Sequence, residues 1–330
     1  MKKIINITAV LLLAFSLFTV SACQKTTTDE QVIGVLLRND SEVFLSAYRK
    51  GIEAFAEKND IKVQIYSANN DAAIQIDQLK TLLLNGVKTF VFIAYNSDLT
   101  EQMTKIISSQ GGSAAFSNII PTVEALKAGE NFFYASSPET DAGKFQAQII
   151  DGYFKKNPGK LQGKNLRVLY FNGEYGHPAQ IYRKVGVMEE LSKLGYKVTV
   201  LREFGANWDR ASARQYLDLW LEGDNPADPT SDTDKEGTSL SIPVLGIDAT
   251  EGGMASLQKN QLYGTVLQDV NAQAATALEL VWQCMKNGNA KNFTTQGGLS
   301  AAKETTKEAP LTERSVLDQC FIVPFVPVTK

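Results

Sequence analysis

The sequence predicts an α/β protein of parallel sheets flanked by helices, folded into two lobes. Three observations carry this. Short β-branched runs alternate with helical stretches from Val32 onward, the alternation breaks near Tyr134 and resumes, and the two halves are of similar size. Strands alternating with helices of about 10–15 residues mean βαβ units and a parallel sheet. A chain of 330 residues is long enough for two cores.

Taken in order, residues 32–37 form an apolar run, followed by candidate capping residues Asp40 and Ser41 and a helix carrying Phe44, Leu45, Tyr48, Ile52 and Phe55. Residues 61–66 are the next strand, with Ile74, Ile76, Leu79 and Leu82 on the helix after it. Gly86 ends that helix, and residues 87–94 are a third strand. A helix over 99–109 and short strands over 113–117 and 132–135 follow. Ser136, Ser137 and Pro138 then start a helix, serine capping and proline in the first turn. After that come strands at 165–171, 197–204, 242–247 and 264–267, with helices at 178–194, 208–221, around Met254 and Leu257, and at 271–285. Residues 223–239 are polar and without an apolar run, which marks a loop. Residues 287–312 are a second irregular stretch before a terminal apolar run.

The amino terminus has Lys2 and Lys3 ahead of an apolar segment over 4–20, then Val20-Ser21-Ala22-Cys23. The segment is too short for a membrane span and reads as an export signal over residues 1–22. Its end resembles a bacterial lipobox, which makes Cys23 the lipidated first residue of the mature protein and 23–30 a tether. An ordinary signal cleaved near Ala22 is the alternative. A net charge of −3 offers no footprint for nucleic acid. Beyond Cys23 there remain Cys284 and Cys320, in an exported protein either a disulfide or two buried small hydrophobes.

The most informative stretch is Asn172-Gly173-Glu174-Tyr175-Gly176-His177-Pro178. It joins a buried strand to a helix. Pro178 suits the first helical position and forces His177 out of the α region. The single histidine of the chain therefore stands at a helix entrance past the carboxyl end of a strand, where open α/β sheets bind ligands.

Gly173-Glu174-Tyr175-Gly176-His177-Pro178, Trp208-Asp209, Ile242-Pro243-Val244-Leu245-Gly246-Ile247-Asp248-Ala249 and Gly264-Thr265-Val266-Leu267-Gln268-Asp269 together resemble the galactose/glucose-binding periplasmic proteins. Those are substrate-binding components of sugar ABC importers with a two-lobed type I periplasmic-binding fold. The resemblance spans most of residues 31–285 and the final strand. It implies one lobe of residues 31–134 plus 269–320 and another of 135–268 plus 321–330, hinged by three crossing segments near residues 134–136, 266–269 and 321–323. By the same resemblance a pyranose is sandwiched between Phe44 and Trp208, and Asn118, His177, Arg183 and Asp248 take its hydroxyl rim. A sugar needs flat aromatic walls for its C–H face and amide or charged groups for its rim.

The sequence also departs from that pattern. Glu42 stands where the family has an Asp, Gln268 where it has an Asn and Arg38 where it has a Tyr. Ala179 replaces an Asp that grips the far end of the ring, leaving Arg38 and Glu174 as possible additional contacts. The family's further strand and helix have no room in 223–239, so the second lobe lacks or relocates one βα unit, with 287–312 the candidate replacement. The family's calcium loop aligns with residues 159–165, which carry two lysines and no acid, so no calcium or other cofactor is expected.

No phosphate-cradling loop, nucleophile elbow or histidine-rich metal cluster appears, and an enzyme is not expected. The resemblance implies an exported monomer, lipid-anchored at the periplasmic face, that captures D-glucose or D-galactose by hinge closure and docks on an importer permease. A sugar sensor for a chemoreceptor, or a surface lipoprotein with lost or altered sugar binding, are the alternatives.

Overall fold

A computed structural model describes residues 31–161, 163–223 and 242–330. The expected signal segment, tether and Cys23, and all but the first residue of the expected loop over 223–239, lie outside the described residues. From its start the chain runs β1 (Val32–Leu37), α1 (Val43–Lys58), β2 (Lys62–Ser67), α2 (Ala72–Leu84), β3 (Thr89–Ile93), α3 (Leu99–Ser108), β4 (Ser113–Phe116), α4 (Val123–Lys127) and β5 (Phe132–Ser136). It continues through α5 (Glu139–Lys156), β6 (Asn165–Asn172), α6 (Pro178–Lys193), β7 (Lys197–Gly205) and α7 (Arg210–Glu222). After the break come β8 (Leu245–Ile247), α8 (Glu251–Gln258), β9 (Gly264–Leu267), α9 (Val270–Asn287), β10 (Cys320–Ile322) and β11 (Val326–Thr329).

The first sheet is parallel throughout, in the order β10-β5-β4-β3-β1-β2. Its central strands are buried along their length because helices cover both faces, which is why β1 and β3 read as continuous apolar runs. Helix α9 returns to pack on α1 and on β3, β4 and β5. The core holds Leu36, Tyr48, Phe90, Phe92, Phe116 and Phe321 among others.

The second set of strands is formed of a parallel pair, β6-β7, and a sheet β11-β9-β8 in which β8 and β9 are parallel and β11 antiparallel. Helix α5 packs on α6 and also on β8, β9 and β11. A side chain at Gly143 would collide with the Arg183 carbonyl, and one at Gly186 with the Thr140 carbonyl. The two helices thus cross backbone against backbone, which fixes Arg183 relative to the start of α5. The chain passes between the strand sets three times: from β5 into α5, from β9 into α9 and from β10 to β11.

Several expectations need correction. Asp40 and Ser41 do not cap α1. Glu42 is its N-cap without a side-chain cap, and the side-chain Oδ1 of Asn39 accepts from the Ser41 and Glu42 N–H groups instead. Nor does serine cap α5, whose N-cap is Pro138. Its first N–H groups are taken by the carboxylate of Glu308, at 2.7 Å from the Glu139 nitrogen. The stretch over 287–312 does not replace a βα unit of the second strand set; its Ala290 and Leu311 pack into the core of the first, as do Val316 and Leu317 just beyond it. The Cys284–Cys320 bridge is not formed. Both thiols are free and buried, one on the inner face of α9 and the other opening β10, where it donates to the Val316 carbonyl at 3.2 Å.

Candidate functional site

Every expected polar contact except Arg183 follows the carboxyl end of a parallel strand or stands at the helix entry just after it. Arg38 and Glu42 follow β1, Asn118 follows β4, Glu174 and His177 follow β6, Asp248 follows β8 and Gln268 follows β9. Trp208 follows β7, while Phe44 lies in the first turn of α1 and Arg183 within α6. Parallel strands put all of these turns on one side of their sheets, the side at which α/β proteins bind ligands.

On the first strand set Arg38 is the centre. Its Nη2 donates to both oxygens of Glu42, at 2.7 and 2.9 Å, and its Nη1 reaches Asn70 at 3.3 Å. The same Nη1 donates at 3.2 Å to Glu174, from the turn after β6, so this ion pair joins the two strand sets. Asn39 completes the cluster by donating to Glu42 and Asn70. Glu42 is thereby occupied by protein donors. Asn118 has φ of 62°, a left-handed conformation that asparagine tolerates, and its N–H donates to the Ser136 hydroxyl at 3.2 Å. Phe44 is half-buried against the first core, and no ring contact joins it to Trp208.

On the second set His177 is the N-cap of α6, and its Nδ1 accepts from the Ala179 N–H at 3.1 Å. That acceptor role requires a neutral ring with its proton on Nε2. Burial pushes its pKa down to about 3, with the nearby Arg38 and Arg183 charges adding to the effect. The ring meets Trp208 edge-on, centroids 5.3 Å apart. Trp208 and the preceding Asn207 both have positive φ, 63° and 49°, a costly pair for residues with side chains. The indole lies so close over Gly173 that any side chain there would occupy its position.

Arg183 lies with its guanidinium carbon 5.5 Å from the Trp208 ring centre. Its Nε donates to Glu139 at 2.6 Å and its Nη2 to Gln268 at 3.0 Å. Asp248, at φ 76°, is held by its own N–H on the Val266 carbonyl at 2.7 Å. Its Oδ1 is buried without a hydrogen bond, 3.8 Å from Arg183 Nη2, and burial raises its pKa against the pull of Arg183. Gln268, expected as a sugar contact, has both ends of its amide engaged, the other donating to Glu139 at 3.4 Å. Among the described residues no group of three or more His, Cys, Asp or Glu side chains could hold a metal ion.

The structure thus brings Arg38, Glu42, Glu174 and His177 together with Trp208, Arg183, Asp248 and Gln268. Glu139 and Glu308 were not foreseen, because nothing local distinguishes an acid that opens a helix, or one in an irregular stretch, from a solvated one. The contact between them spans 169 positions in sequence.

Two strand sets joined by three crossings, each presenting polar groups at its carboxyl ends, define the two-lobed solute-binding class. The chain belongs to the periplasmic binding protein domain family, whose model matches residues 33–290. It is 28% identical over 296 residues to the D-galactose/methyl-galactoside binding periplasmic protein MglB of Haemophilus influenzae, covering 85% of this chain and 88% of that protein. It is 24% identical over 278 residues to a xylitol-binding protein of Mycolicibacterium smegmatis, covering 80% and 74%. A periplasmic solute-binding protein of Actinobacillus succinogenes, solved with bound D-allose, shares the fold with a TM-score of 0.70 at 16% identity, over 91% of this chain and 97% of that one.

Proposed function

We propose that this chain captures a hexose, D-glucose or D-galactose, by hinge closure and delivers it to an ABC importer. The observation that carries the proposal is a donor and an acceptor that make no hydrogen bond among the described residues: the Nε2–H of His177, whose ring stands edge-on to the Trp208 indole, and the Oδ1 of Asp248, beside the Arg183 guanidinium that lies against the same indole. An indole face suits the C–H face of a pyranose, and a ring hydroxyl both accepts from an imidazole and donates to a carboxylate. A buried oxygen without a donor costs about 1–3 kcal/mol, which a sugar hydroxyl relieves only when the lobes are closed. Sugar binding then shifts the population toward closure.

Charge supports a neutral ligand. Arg38 is matched by Glu42 and Glu174, and Arg183 by Glu139, so neither of these two arginines is an uncompensated cation that would attract an acidic sugar. The galactoside and xylitol named for the relatives are neutral polyols as well. The choice of hexose rests on the motifs around Gly173–Pro178 and Asp248. In this reading the protein is not an enzyme, holds no calcium in its lysine-bearing loop, and is exported and anchored through a lipid on Cys23. Isothermal titration of residues 24–330 against D-glucose, D-galactose, D-allose, D-ribose, xylitol, myo-inositol and D-galacturonate tests it. Heat of binding is expected for a neutral hexose and none for the uronate; no binding by any neutral sugar at millimolar concentration rejects the proposal.

A further inference from the structure

We propose that Glu139 is a positioning residue of this site: from the crossing between the strand sets, its carboxylate draws the Arg183 guanidinium to itself and so keeps Asp248 available as an acceptor. The inference rests on the sugar-site reading for what Asp248 touches, but not for the network itself.

The geometry is a closed ring of three side chains from three elements. Glu139, the first residue of α5 and fully buried, accepts from Arg183 Nε at 2.6 Å and from the Gln268 amide at 3.4 Å. Gln268 in turn accepts from Arg183 Nη2 at 3.0 Å. Arg183 belongs to α6, and the glycine crossing of α5 and α6 sets the backbone distance the ring must span. Asp248 is the rival carboxylate. At 3.8 Å from Nη2 it is too far for a hydrogen bond, and its buried Oδ1 stays without a donor. One guanidinium stands between two carboxylates, and Glu139 holds it.

Glu139 is placed to lose that hold in the neutral range. The groups that face it are Arg183 from α6, Gln268 after β9, Asp248 after β8, Tyr134 of β5 and Glu308 from the irregular segment. Glu308 accepts from the Glu139 and Thr140 N–H groups and from the Thr140 hydroxyl, which sets a second carboxylate beside the first, with Asp141 of α5 close to it. Burial pushes the Glu139 carboxyl up to about 7; Arg183 opposes this, and the Glu308 and Asp248 charges add to it. A protonated Glu139 leaves Asp248 as the nearest ionised partner of Arg183, and the oxygen meant for a ligand hydroxyl is then engaged by protein.

A buried pair that only supports folding changes stability without changing the pH profile of binding. The test therefore reads affinity and the site indole separately. In a W220F/W282F background, Trp208 emission is titrated from pH 5.5 to 8.5 without sugar, since the Arg183 guanidinium lies against that ring. The affinity of the best-binding monosaccharide of the panel is measured over the same range. Expected are an emission step near pH 7 and a dissociation constant that rises toward about tenfold per pH unit below it, both lost in E139Q, both kept in E139D, and both kept but moved to lower pH in E308Q, where the Glu308 charge is gone. Emission and affinity that stay flat in the unsubstituted protein overturn the inference. So does a step that survives in E139Q, or one that disappears only in E308Q. If no sugar of the panel binds, the proposed function fails, and the emission titration still decides the role of Glu139. If E139Q does not fold, the titration of the unsubstituted protein and of E308Q decides it.

Discussion

Arg38 and Glu174 stand on different strand sets and meet at 3.2 Å, Arg38 donating, while Glu42 holds the other terminal nitrogen of the same guanidinium through both of its oxygens. The buried arginine is thus shared between a local clamp and a contact between the two strand sets. Glu174 is half exposed, at 55%, and an ion pair of that kind contributes about 0–1 kcal/mol. Glu174→Gln is expected to weaken sugar affinity by no more than about fivefold and to increase the radius of gyration of the ligand-free protein in X-ray scattering. Glu42→Ala leaves Arg38 buried beside less charge and is expected to cost roughly 3 kcal/mol in urea denaturation.

Trp208→Ala removes the indole face and the wall that His177 and Arg183 lie against. The apolar area lost on one ring face corresponds to at least about 1.4 kcal/mol, a tenfold loss of affinity. Titration calorimetry at pH 8 checks it, and an unchanged dissociation constant removes the indole from the site.

His177 predicts a pH dependence of stability whose sign follows from its burial. Its folded pKa, about 3, lies below the ordinary 6.5. Its contribution is therefore complete above pH 6.5 and is lost as the pH falls toward 3, because only the unfolded chain takes up the proton. Glu139 acts the other way: its pKa, raised from 4.5 to about 7, gives stability present below 4.5 and lost as the pH rises toward 7. Comparison with His177→Asn isolates the single histidine. The stability difference between the two proteins should narrow by roughly 1.4 kcal/mol for each pH unit below 6.5. Urea denaturation at pH 7, 6 and 5 measures it, and a constant difference contradicts a buried neutral ring.

Gly143→Ala puts a methyl group on the Arg183 carbonyl, where backbone cannot yield. Spreading α5 from α6 is expected to cost about 1–3 kcal/mol and, by moving Arg183 off Glu139, to lower sugar affinity in the molecules that remain folded. Thermal denaturation and calorimetry on the same preparation separate the two effects.

Cys23→Ser tests the proposed anchor. The substituted protein is expected in the soluble fraction of cells that retain the unsubstituted protein on membranes, as fractionation and immunoblotting would show. Membrane retention of both removes Cys23 as the lipidated residue.

By itself the sequence determined the alternation of strands and helices, the entry of α6 at Pro178, and the turns that carry Arg38, His177, Trp208 and Asp248. Each of these follows from local periodicity, from proline geometry or from a motif of adjacent residues. Only the tertiary structure decided that Glu308 rather than a serine covers the start of α5, that Gln268 serves Arg183, that residues 288–319 join the first core, and that the two cysteines remain apart. Such outcomes depend on which buried donors and acceptors lie within about 3 Å of each other once the chain has closed. Local pattern carries no record of partners more than a hundred residues away, and so the ring around Glu139 appears only when α5, α6 and the end of β9 are packed together.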